Sequence, residues 1–152
     1  MSRLLRLIDL PPIWLIAMAA AAFGLDRAVP GLGFDLGWSR WLGNGLVAVG
    51  LGVMGLAVWE FLRARTTIIP RQTPTSFLQS GIYRLTRNPI YLGDALVLGG
   101  LVLRWDVLPA LILVPIFTRI ITTRFIIGEE EGLTAIFGDE FKNWSATVRR
   151  WL

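Results

Sequence analysis

The sequence predicts an all-α integral membrane protein with four transmembrane helices, the last two forming a hairpin, followed by an amphipathic interfacial helix. Three observations carry that prediction. Hydrophobic residues make up 54% of the 152 and the mean hydropathy is +0.59, beyond what a water-soluble domain carries even when glycine is counted as apolar. Apolar runs recur that approach the roughly 20 helical residues a bilayer core requires. The basic excess, 15 Lys+Arg against 11 Asp+Glu, sits beside those runs instead of gathering on one polar face, which reads as membrane-flank charge and argues against a nucleic-acid partner.

The first span runs from about Leu10 to Leu25 and is entered through Pro11 and Pro12, which suit a helix's first turn. Arg3 and Arg6 precede it as they would in a signal peptide, but the segment reads as retained. The second span, Trp41 to Leu62, carries Gly45, Ala48, Gly52 and Gly55 at spacings of three and four, a small-residue face for close helix approach. The third, Pro89 to Leu103, and the fourth, Val107 to Ile127, are separated only by Arg104, Trp105 and Asp106, so they form an antiparallel hairpin. Beyond them Leu133, Phe137, Phe141, Trp144 and Val148 draw one apolar stripe, the mark of a helix lying on the membrane or capping the bundle. One domain results: residues 1–65 hold two spans, 66–88 a cytoplasmic loop, 89–127 the hairpin and 128–152 the cytoplasmic C-terminal helix.

Charge orients this arrangement. Arg3, Arg6, Arg63, Arg65, Arg71, Arg84, Arg87, Arg124, Lys142, Arg149 and Arg150 fall on one side, and Arg27, Arg40 and Arg104 on the other. The positive-inside rule then places both termini and the 66–88 loop in the cytoplasm. Two ionisable residues, Asp94 and Arg119, lie within the third and fourth spans and are expected to approach each other, because intramembrane charges pair or line a cavity.

The chemistry is bounded by what is missing. Cysteine and histidine are absent, which removes thiol nucleophiles, zinc thiolate sites and the commonest general base. Carboxylates, tyrosines, arginines and a bound cofactor remain. Two segments at cytoplasmic helix mouths concentrate them: Gly81-Ile-Tyr83-Arg84-Leu-Thr-Arg87-Asn88-Pro89-Ile-Tyr91-Leu-Gly93, and Arg124-Phe-Ile-Ile-Gly-Glu129-Glu130-Glu131-Gly-Leu133. A hairpin of spans three and four makes these mouths neighbours. Taken singly, the glutamates are explained by a helix start and the arginines by headgroup contact.

The pattern G-x-Y-R-x-x-R-N-P-x-Y-x-G at Gly81 to Gly93, followed by R-x-x-x-x-E-E-x-x-L-x-x-x-F-G at Arg124 to Gly138, resembles the signature of bacterial isoprenylcysteine carboxyl methyltransferases and related phospholipid methyltransferases. Thr66-Thr67-Ile-Ile-Pro70 resembles that family's approach to the loop. The resemblance implies S-adenosylmethionine as cofactor, with S-adenosylhomocysteine as product, held by Tyr83, Asn88, Pro89, Tyr91, Gly93, Glu129 and Glu130. Arg87, Tyr91 and Glu130 are the implied catalytic residues, and no metal is needed. A lipophilic molecule or membrane lipid bearing a carboxylate, amine or thiol is the implied acceptor, in a multi-pass protein of the bacterial inner membrane. Asn88 departs from the histidine common in the family, and asparagine cannot take up a proton near neutral pH. The rival readings are an NADPH-dependent membrane reductase of the sterol-reductase type and a non-enzymatic membrane scaffold; oligomeric state is not legible.

Overall fold

The computed structural model describes residues 9–29, 31, 33, 36–64 and 77–152. Arg3, Arg6, Arg65 and Arg71, which weigh in the charge argument, and the Thr66 to Pro70 stretch lie outside the described residues. Among the described residues five helices follow in order: α1 Pro11–Ala28, α2 Ser39–Ala64, α3 Pro89–Trp105, α4 Leu108–Phe137 and α5 Asp139–Thr147. A 3-10 turn, Gly81–Arg84, precedes α3. Prolines open α1 and α3, where the missing N–H would have no intrahelical partner and the ring pre-sets φ. Among the described residues two helices, α2 and α4, are long and apolar enough to cross a membrane.

Helices α2 and α3 touch backbone to backbone. A β-carbon on Gly50 would lie 2.7 Å from the Gly93 carbonyl oxygen, and one on Gly43 would lie 2.6 Å from that of Gly100. The pairs 43/100 and 50/93 repeat every seven residues in opposite directions, as antiparallel helices require. With no side chain between them, the backbones come close enough for Cα–H···O contacts. Within the chain the close approach does not use the predicted small-residue face: Gly45, Ala48, Gly52 and Gly55 are exposed, and nothing lies within 4 Å of a β-carbon built on any of those three glycines. Both sets form a helical stripe, but only the seven-spaced one meets matching glycines on a partner.

Helices α3 and α4 form the predicted hairpin. Asp106 ends α3 in the left-handed region (φ 57°), where its N–H returns to the Leu103 carbonyl. Tyr91, Ala95 and Leu98 then pack against Phe117, Ile121, Phe125 and Ile126, and α1 lays Trp14, Leu15, Met18 and Ala19 over that cluster. Asp94 and Arg119 do not pair. Asp94 is buried and Arg119 exposed, with no salt bridge between them. Residue 119 stands about 200° round α4 from Phe117, whose face meets α3, so the expected approach was on the wrong side of the helix.

Helix α4 runs past the predicted boundary at Ile127, so Glu129 and Glu130 are interior helical residues and not the start of a new helix. Nothing between Ile127 and Phe137 breaks it, since the glycines there cost propensity without forbidding helix. A π-helical stretch, Thr122–Ile126, interrupts it just before the carboxylates. There Thr122 Oγ1 donates to the Thr118 carbonyl at 2.7 Å and Thr123 Oγ1 to that of Arg119 at 3.0 Å, competing with the regular ladder. The chain turns at Gly138 (φ 54°) into α5. The single stripe predicted from Leu133 to Val148 is therefore divided, and Phe137, Phe141 and Trp144 converge on Phe77, with ring centroids 4.9, 5.5 and 5.5 Å away.

Candidate active site

The site begins where α2 ends. Glu60, buried there, accepts a 2.6 Å hydrogen bond from Ser80 Oγ. Gly81 lies against that carboxylate with φ 55°, and a side chain at this position would run into Glu60. The 3-10 turn then delivers Tyr83 into a cluster with Ala57 and Leu78, its ring edge-on to Phe61 at 5.9 Å. Burial raises the Tyr83 phenol well above its ordinary value, and the negative charges of Glu129 and Glu60 raise it further. Tyr83 therefore stays protonated, a neutral donor facing carboxylates.

Residues 86–88 are held from the far end of the sequence. The Arg87 amide donates to the Arg149 carbonyl at 2.9 Å. The Arg150 carbonyl accepts from Thr86 Oγ1 at 3.2 Å and from Asn88 Nδ2 at 2.9 Å. Thr86, fully buried, also accepts the Asn88 amide at 3.2 Å. Asn88 occupies the N-cap position of α3 but spends its side chain on residue 150 instead of on its own helix. It acts here as a brace.

The hairpin brings α4 to this loop. Tyr91 donates its hydroxyl to Glu129 Oε1 at 2.8 Å. One turn of α4 is shared by Glu130, which binds two guanidiniums: Arg150 grips it as a fork, Nε to Oε1 at 3.0 Å and Nη2 to Oε2 at 2.6 Å, and Arg87 Nη1 lies 3.3 Å from Oε1. That fork raises the already high Arg150 pKa. Arg87 Nε is buried and has no hydrogen-bond partner among the described residues.

Of the residues singled out by sequence, Tyr83, Arg87, Asn88, Tyr91, Glu129 and Glu130 fall into one cluster. Pro89 is the buried first residue of α3. Gly93 faces Met54 and Gly50 of α2, so its missing side chain is accounted for by helix packing and not by the cluster. Arg124 turns toward α1, 3.0 Å from Asp9 and over the Trp14 ring at 5.3 Å. Glu60, Thr86 and Trp151 are not legible as members of this cluster in the sequence, where Arg150 reads only as a flanking charge. The spacing of 20 residues between Glu130 and Arg150 carries no helical signal, because Gly138 reverses the chain between them.

A family model described as phospholipid methyltransferase matches residues 38–140, which span α2, the loop, α3 and α4 and include both carboxylates. The chain belongs to the phospholipid methyltransferase family. That family consists of membrane methyltransferases and lies within the isoprenylcysteine carboxyl methyltransferase-like group. No curated protein and no solved structure gives a match. The match to the phospholipid methyltransferase family covers Arg87, Tyr91 and Glu130. The matched stretch stops at residue 140, so the Arg150 segment lies beyond it.

Proposed function

We propose that this protein transfers a methyl group from S-adenosylmethionine to a lipophilic acceptor at the cytoplasmic face of a bacterial inner membrane, with Arg87, Tyr91 and Glu130 as catalytic residues. The observation that carries the reading is Arg87 Nε, a buried, charged donor with no hydrogen-bond partner among the described residues, on a guanidinium that already touches Glu130. A donor of this kind suits an oxygen acceptor such as the carboxylate of a bound cofactor.

The residues present fit the cofactor. Arg87 suits a carboxylate, which the amino-acid part of the cofactor has. Glu129 and Glu130 suit hydroxyl or ammonium donors: a carboxylate offers about four acceptor sites, and the Glu130 oxygens take three contacts from Arg87 and Arg150. Tyr83 and Tyr91 supply aromatic faces of the kind that attract a cation. When bound, S-adenosylmethionine supplies an electrophilic methyl carbon on a positively charged sulfur.

The protein's own work is alignment and exclusion of water. Arg87, pinned through its amide to residue 149, orients an anionic oxygen. Tyr91 fixes Glu129 by a hydrogen bond, and Glu130 is fixed by its two guanidiniums. An acceptor that arrives as an anion needs no base. One that arrives as an ammonium must lose a proton first, and Glu129 and Glu130 are the groups able to take it, since Asn88 is not. A four-span arrangement in which α1 and α3 also cross the bilayer lets the acceptor enter sideways from lipid.

The test is thermal stability of the detergent-purified protein with S-adenosylhomocysteine and, separately, with NADPH. A ligand that binds only the folded form raises apparent stability by about 2.7 kcal/mol at a hundred times its Kd. Stabilisation by S-adenosylhomocysteine alone is expected; stabilisation by NADPH alone assigns the pocket to a reductase and overturns the proposal.

A further inference from the structure

We infer that the segment following α5, residues 148–152, is a working wall of the site, with Arg150 as the positioning residue for Glu130 and the carbonyls of residues 149 and 150 as the supports of Arg87 and Asn88. The inference rests on the methyl-transfer reading only for what the pocket takes; the docking of the segment stands on its own contacts.

Residues 148–152 are not helical, and a short segment of this kind stays in one place only where other parts of the fold hold it. Here three levels do so. The carbonyls of residues 149 and 150 accept three hydrogen bonds, from the Arg87 amide, Thr86 Oγ1 and Asn88 Nδ2. The Trp151 ring packs on the Tyr91–Phe125 cluster, and its Nε1 donates to Thr122 Oγ1 at 3.2 Å. Between these anchors Arg150 reaches back to Glu130.

The geometry of that reach separates positioning from simple charge neutralisation. Two parallel N–H···O bonds, 3.0 and 2.6 Å, fix the plane of the carboxylate as well as its place. A lysine would supply the charge without the fork. Arg87, at a single 3.3 Å contact, leaves the carboxylate free to turn. Arg150 therefore sets the direction in which the remaining lone pair of Glu130 points. The same segment holds both sides of the cluster, since Arg87 on the α3 side binds residue 149 and Asn88 and, on the α4 side, Glu130 bind residue 150.

The experiment uses the full chain in detergent, with Kd for S-adenosylhomocysteine measured by calorimetry and amide hydrogen exchange followed at Arg87. Arg150→Gln should weaken binding by about tenfold or more, the worth of one lost charge-assisted fork, and Arg150→Lys should recover only part of it. In a Glu130→Gln background the Arg150→Gln change should add less than about twofold, because two residues acting through one contact are not additive. Trp151→Ala should speed exchange at the Arg87 amide while circular dichroism stays unchanged.

Binding within about twofold of wild type in Arg150→Gln, or full additivity with Glu130→Gln, overturns the positioning role. If the wild-type protein binds no S-adenosylhomocysteine, the methyl-transfer reading fails, and exchange still decides the docking: an Arg87 amide that exchanges as freely as an exposed loop overturns it.

Discussion

The two ends of the α2–α3 pair carry similar chemistry in opposite states of organisation. At one end Arg87 and Arg150 share Glu130, Tyr91 holds Glu129, and the guanidinium and carboxylate of the Arg87–Glu130 pair are mostly covered. At the other, Arg40 and Arg104 line an open cleft of about 440 Å³ with Asn44, Trp41 and Asp106. There Arg104 meets the neutral amide of Asn44, and the Asp106 carboxylate lies against Gly33. Arginines near a carboxylate are thus no sign of a site by themselves. The difference is preorganisation: the first end has backbone pins and a fork, whereas the arginines of the second, Arg40 and Arg104, are exposed.

Glu130→Gln should break the contrast most severely. It converts three charge-assisted contacts to weak ones at a cost of about 3 kcal/mol, so affinity for S-adenosylhomocysteine should fall by roughly a hundredfold in calorimetry. Gly93→Ala should act next, through stability and not through the cluster. Its methyl group would collide with Met54 and with the Gly50 carbonyl, and overpacking of this kind costs about 1–3 kcal/mol, readable as a lower unfolding midpoint in detergent. Arg104→Ala, at the open end, should change stability by no more than about 0.5 kcal/mol and leave cofactor affinity unaltered. A large loss of affinity there would mean that the two ends are coupled and that the comparison is misdrawn.

Much of the site was legible because local signals happened to coincide. Pro89 marks the start of α3, the short Arg104 to Asp106 link dictates a hairpin, and the hairpin brings the end of α3 that carries Tyr91 beside the part of α4 that carries Glu129, 38 residues away. Where two patterns competed on one helix, sequence had no arbiter. Gly43 and Gly50 form as good a small-residue stripe as Gly45 and Gly52, and only Gly100 and Gly93 on the partner helix choose between them. The acidic triplet at Glu129 to Glu131 looked like the end of an apolar span, whereas the helix tolerates it by giving Glu130 to Arg150. That partner was hidden because it depends on the reversal at Gly138 and on an irregular segment with no periodicity to read.

The wide turn at Thr122–Ile126 has a consequence for the carboxylates beyond it. A π-helical turn accommodates one more residue than the regular repeat, so it resets the rotational phase of everything downstream. Were α4 to lose one residue there and close into uniform α-helix, Glu129 and Glu130 would swing by about 100°. They would leave Tyr91 and the Arg150 fork, although every one of those residues would still be present. The bearing of the acidic pair is in this sense stored in the winding of the helix, one turn before the pair is reached.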